Sequence, residues 1–179
     1  MKGKWSKDEV WFFIGVLSFL ATFLFLTPVL HELWHVIALM HYGQDYNLFL
    51  KAKDIEGVYA VIEFYGKELE RYELLNVLMA GIVGNYLIGF VLLFISNLIY
   101  KKHPNWGIIA GMNSLAFLLD STLYFFFDMD GDLVEVVKLF KLKDGLYLKI
   151  FGVTFLLFAI TQFFWLLSRC LDSLVEKNR

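Results

Sequence analysis

The chain has 179 residues, of which 59% are hydrophobic, 18% aromatic and 19% charged, with a formal net charge of −2. A soluble domain of this length normally carries about a quarter charged residues and fewer apolar ones. The near-neutral balance gives no electrostatic footprint for nucleic acid, and a single cysteine, Cys170, excludes an internal disulfide and any Cys-rich zinc site.

The apolar residues are concentrated. Val10–Leu30, Leu74–Tyr100 and Ile150–Ser168 contain no Asp, Glu, Lys or Arg, and Trp106–Phe127 contains one, Asp120. Each stretch is close to the roughly 20 residues a helix needs to cross a bilayer. The expected fold is therefore an all-α polytopic membrane protein of one domain, residues 1–179, with about four transmembrane helices and a small membrane-associated β-hairpin. Its expected location is the cell membrane.

In chain order, the first span covers about 10–42, with Pro28 inside it and Gly43 as a stop signal. It is too long for the hydrophobic region of a signal peptide and reads as a retained span. At 1.5 Å per residue it extends about 50 Å, so it has to tilt, kink near Pro28, or emerge at one end. Residues 47–65 are rich in β-branched and aromatic types around Asp54-Ile-Glu-Gly57, which predicts a hairpin. The second span covers about 72–100 and the third 106–127. Asp132 to Lys141 has helical apolar spacing and reads as a short interfacial helix. The fourth span covers about 146–171. The 16 Lys and Arg residues divide evenly between the two sides, so the positive-inside rule gives no orientation.

His31-Glu32-Leu33-Trp34-His35 is the sharpest motif. Histidines four apart on a helix lie one turn apart on one face, so both rings can reach one metal ion. Zinc lowers the pKa of a bound water to about 7, and Glu32 is placed to take its proton and pass it to a leaving amine. Two imidazoles and a carboxylate inside hydrocarbon cost several kcal/mol in total, by order of magnitude, unless paired or metal-bound. The competing reading is that they hydrogen-bond to neighbouring helices. His41 has the spacing of a longer zinc motif, but that motif turns at a glycine and Ala38 stands there. On a continuous helix His41 points away from His35. The better source of a third ligand is the acidic cluster Asp128-Met-Asp130-Gly131-Asp132, whose plainer reading is a solvated helix N-terminus.

Taken together, His31-Glu-Leu-Trp-His35, Ala80-Gly-Ile-Val-Gly-Asn85 and Asp130-Gly131 resemble, in order, the motifs of the site-2 protease family of intramembrane zinc metalloproteases. The resemblance implies zinc bound by His31, His35 and Asp130, with Asp128 and Asp132 as fallback ligands and Glu32 as general base and then acid. Two features depart from the family. Ile82 replaces the usual proline, and Tyr-Phe-Phe-Phe-Asp-Met precedes Asp-Gly where a proline-rich stretch is usual.

Topology adds a constraint. If the first span crosses once, His31 and His35 lie in its second half, on the side where the third span delivers Asp130. A reversal at Pro28 puts them on opposite sides.

Asn85 has two readings, a hydrogen bond to the scissile carbonyl or an interhelical bond. Small neighbours Gly81, Gly84 and Gly89 let helices approach closely there. Asp120 is a second costly intramembrane group, read as an outer-shell partner of His31 or His35 or as paired elsewhere. Asn113 is equally open. The hairpin reads either as an edge for an extended substrate or as a structural cap.

The expected activity is hydrolysis of a peptide bond in a transmembrane protein or peptide substrate within the lipid bilayer. Rival readings are a zinc-dependent hydrolase acting on lipid or prenylated peptide, and a metal-binding membrane protein without catalysis.

Overall fold

A computed structural model describes residues 7–53, 57–126, 132–141 and 146–176. The first long helix has two parts, α1 (Lys7–Ala21) and α2 (Thr27–His41), joined without a break by a π-helical turn, Thr22–Leu26. The cause is local. Pro28 has no N–H to give and its ring crowds the preceding turn, so the ladder loosens just before it. The Thr27 N–H reaches back five residues to the Thr22 carbonyl. The Phe23 carbonyl, bypassed by that shift, accepts from the Thr27 hydroxyl at 2.9 Å. Pro28 therefore distorts the helix but does not reverse it. Gly43 then ends α2 with a positive φ of 67°, and the amides of Gly43 and Gln44 close on Met40 O and Leu39 O, a left-handed C-terminal cap that favours glycine.

Two antiparallel strands follow, β1 (Asp45–Lys53) and β2 (Gly57–Tyr65), in register from Asp45 opposite Tyr65 to Lys53 opposite Gly57. They lie against α2. The remaining helices are α3 (Arg71–Tyr100), α4 (Pro104–Leu123), α5 (Asp132–Phe140) and α6 (Leu146–Glu176). Three helices are long and apolar enough to cross a membrane: Glu9–His41, Arg71–Tyr100 and Leu146–Arg169. Their outward faces expose large apolar side chains such as Phe25, Val29, Leu87, Leu98 and Phe164.

The 20-residue helix α4 is the interior one, packed against α1, α3 and α6. Its small residues explain the fit to α3. Ser114 Oγ donates to Gly89 O at 2.7 Å, Ser121 Oγ to Ile82 O at 3.3 Å, and Ser96 Oγ of α3 to Gly107 O at 2.7 Å. Small hydroxyl residues both allow close approach and supply the interhelical hydrogen bonds that packing in lipid needs. On the α1 side, Asn113 Oδ1 accepts from Ser18 Oγ at 3.0 Å and from Thr22 Oγ1 at 2.9 Å, so Asn113 joins helices.

The short helix α5 is docked by its apolar face. Leu133 is buried in a cluster with Ile82, Tyr86, Leu118 and Phe125. At its far end Arg71 Nη2 donates to Leu139 O at 2.6 Å, with the guanidinium over the Phe140 ring. These contacts fix the first residue of α5, Asp132, against α2 and α3.

Candidate metal centre

The functional candidates are brought together in layers, because residues four apart on a helix share a face. In one layer His31 of α2 lies against Gly81 of α3, and its ring stacks on Tyr124, just past α4, at 4.5 Å between centroids and 6° between planes. One turn toward the hairpin, His35 Nδ1 lies 2.6 Å from the carbonyl of Val77. One turn the other way, Asn85 Nδ2 donates to Thr27 O and to Asp120 Oδ2, both at 3.0 Å. Thr27, Asn85 and Asp120 are each four residues from His31, Gly81 and Tyr124.

Asp132 completes the group. Its Oδ2 lies 2.9 Å from His31 Nε2 and 3.1 Å from His35 Nε2. Both imidazoles are buried, while the Asp132 side chain is 22% exposed. Among the described residues these three offer ligand atoms within 4.8 Å of one another, a group able to hold a metal ion. Ligands on one tetrahedral zinc, with bonds of about 2.0–2.1 Å, stand about 3.3 Å apart, so the two short contacts need only small adjustments. Burial alone would raise the Asp132 carboxyl, but the hydrogen bonds with His31 and His35 outweigh it and hold the group below the usual carboxylate range.

The hydrogen bonding of His35 adds a chemical constraint. A carbonyl oxygen only accepts, so Nδ1 facing Val77 O carries the hydrogen. In the neutral ring Nε2 then presents a lone pair to a carboxylate oxygen 3.1 Å away. Two lone pairs facing at that distance repel, so a positive centre belongs between them. It is either a proton, which makes a buried imidazolium, or a metal ion. The second matches the common pattern in which a ligating histidine donates its other N–H to a carbonyl.

Gly81 and Gly84 have a specific task. A Cβ at Gly81 would stand 2.5–2.6 Å from three atoms of the His31 ring, and one at Gly84 would overlap the Trp34 indole. The Ala80–Asn85 segment is thus the surface that receives the His31 and Trp34 side chains of α2. Glu32, between the two histidines, is half-buried, and its carboxylate has no hydrogen-bond partner among the described residues.

Several expectations can now be placed. His31 and His35 come together with an acid delivered after α4, the arrangement expected of a first helix that does not reverse at Pro28. The acid in place is Asp132, the fallback. Asp128 and Asp130 lie outside the described residues. Asn85 is fully buried with both amide hydrogens directed to Thr27 and Asp120, which is the interhelical alternative. His41 is exposed at the end of α2, against Tyr42, and outside the group. The Val77 carbonyl and the stacking Tyr124 are site features that sequence reasoning missed. A backbone acceptor leaves no mark on residue type. Tyr124 had one available signal, its position one turn beyond Asp120.

Searches for related proteins returned no match from family models, curated proteins or solved structures.

Proposed function

We propose that the protein is an intramembrane zinc metalloprotease that hydrolyses a peptide bond of membrane-embedded substrates. One observation carries the reading. Two imidazole nitrogens and a carboxylate oxygen converge beside Glu32 at the end of helices with the length and apolarity of membrane spans. In this reading α4 is a fourth crossing, less apolar because it faces protein on most sides. The location is a cell membrane.

His31, His35 and Asp132 would hold the ion. A zinc ion so held supplies a Lewis acid that acidifies water and polarises a carbonyl. The chain's own groups do the rest. The Val77 carbonyl fixes the ring of His35 with Nε2 facing inward. Asp132 supplies negative charge from the more open side of the group. The Glu32 carboxylate takes the proton of the attacking water and passes it to the leaving amine. Tyr124 and Gly81 hold His31 between a ring face and a helix backbone.

Purified protein in proteoliposomes tests this against membrane-anchored peptides and against phospholipid and prenylated-peptide substrates. The proposal expects cleavage of the transmembrane peptides, lost on treatment with a zinc chelator and restored by added zinc. Cleavage confined to lipid or to prenylated termini would replace the peptide reading with one of its rivals. Metal binding without hydrolysis of any substrate would favour a non-catalytic role.

A further inference from the structure

The layer below the metal group contains polar groups that the proposed reaction does not use. Asp120 is a carboxylate set within α4, and Asn85 beside it is fully buried. Thr27 O only accepts, so the Asn85 amide must turn its nitrogen toward Thr27 and Asp120. That leaves Asn85 Oδ1 buried with no partner among the described residues. One turn above, His31 Nδ1 is also buried with no such partner.

The two unpaired atoms are complementary once Nε2 of His31 is a ligand. The ring then carries its hydrogen on Nδ1 and becomes a donor in need of an acceptor. Asn85 Oδ1 is an acceptor in need of a donor, and a buried polar group of either kind left unpaired is destabilising. Asp120 interacts electrostatically with His31 across the same interval. Three helices place these groups one turn apart on matching faces: Thr27 beneath His31, Asn85 beyond Gly81, and Asp120 before Tyr124.

We infer that Asp120 and Asn85 form the outer shell of the metal centre, with Asp120 a positioning residue that acts through Asn85 to orient the His31 ring for metal binding. The inference rests on the metal reading above and goes beyond it, because it assigns a role to an intramembrane carboxylate outside the ligand set.

The test is divalent-metal affinity, measured with zinc against a chelator of known strength, on detergent-purified wild type, D120N, D120E and S121A. Thermal stability of each metal-free protein is measured in parallel. Asn at 120 keeps the shape but replaces the charge-assisted hydrogen bond that holds Asn85 with a neutral one of about half the strength, so D120N is expected to keep a near-native apo melting temperature and to bind zinc 10- to 100-fold more weakly, the usual effect of weakening an outer-shell partner. D120E is expected to recover part of the loss. S121A, which removes an α4 hydroxyl bonded to Ile82 O of α3, is expected to leave zinc affinity unchanged. Wild-type affinity in a stable D120N overturns the outer-shell role alone. So does an equal loss in S121A, which would make the effect one of general packing. A wild-type protein that takes up no zinc overturns the metal reading and this inference with it.

Discussion

Glu32→Gln is expected to lower hydrolysis by about 10²- to 10⁴-fold, the range lost with a general base, while the metal content stays at the wild-type level. The amide has the size and polarity of the carboxylate but does not accept a proton at neutral pH. Glu32 is not among the atoms that meet at the metal position, so its neutralisation leaves the ligands in place. Initial rates on a transmembrane peptide, with metal content measured on the same preparation, give both readings. Full activity in E32Q would remove the glutamate from the chemistry. Loss of metal in E32Q would instead make Glu32 a structural part of the site.

Gly81→Ala is the second change with a large expected effect, and it follows from a distance. Carbon atoms pack at about 3.5–4.0 Å, whereas a methyl at this position stands 2.5–2.6 Å from His31 Nε2, Cδ2 and Cε1. The ring cannot swing aside easily, because Tyr124 stacks on it. Either His31 rotates and withdraws Nε2 from Asp132, or α2 and α3 separate. Overpacking of this kind costs roughly 1–3 kcal/mol of stability, and zinc affinity is expected to fall at least tenfold. Gly89→Ala is the comparison. It lies two turns along the same helix and meets mainly the end of the Leu118 side chain at 2.9 Å. G89A is expected to lose stability without losing metal affinity. Chelator competition and thermal denaturation of both variants separate the two effects. Wild-type zinc affinity in G81A would show that the close approach of α3 to His31 is not needed for the site.

Much of this arrangement was legible in the residues, and the reasons differ by element. The long helices announce themselves through uncharged runs of span length. The loosened turn before Pro28 follows from a missing N–H, and the stop at Gly43 from a residue at ease with positive φ. The pairing of His31 with His35 follows from helical periodicity alone. The choice of acid did not. Asp128, Asp130 and Asp132 lie within five residues, and nothing in their spacing tells which one faces the histidines. That is decided by how α5 docks, through Leu133 in the apolar cluster and Arg71 at its far end. Asn85 was open for a similar reason. Its residue type fits a substrate contact or a helix contact equally well, and only the positions of Thr27 O and Asp120 distinguish them. The glycines of the Ala80–Asn85 segment signalled close packing, but the side chains they accommodate, His31 and Trp34, belong to another helix and depend on the relative height of α2 and α3.

One physical claim underlies the proposed chemistry: His31, His35 and Asp132 share a divalent cation. Metal analysis of the purified protein tests it most directly, comparing wild type with Asp128→Ala, Asp130→Ala and Asp132→Ala. About one zinc-class ion per chain is expected in wild type, D128A and D130A, with little or none in D132A. Equal metal in all four proteins, or its loss in D130A alone, would contradict the ligand set described here.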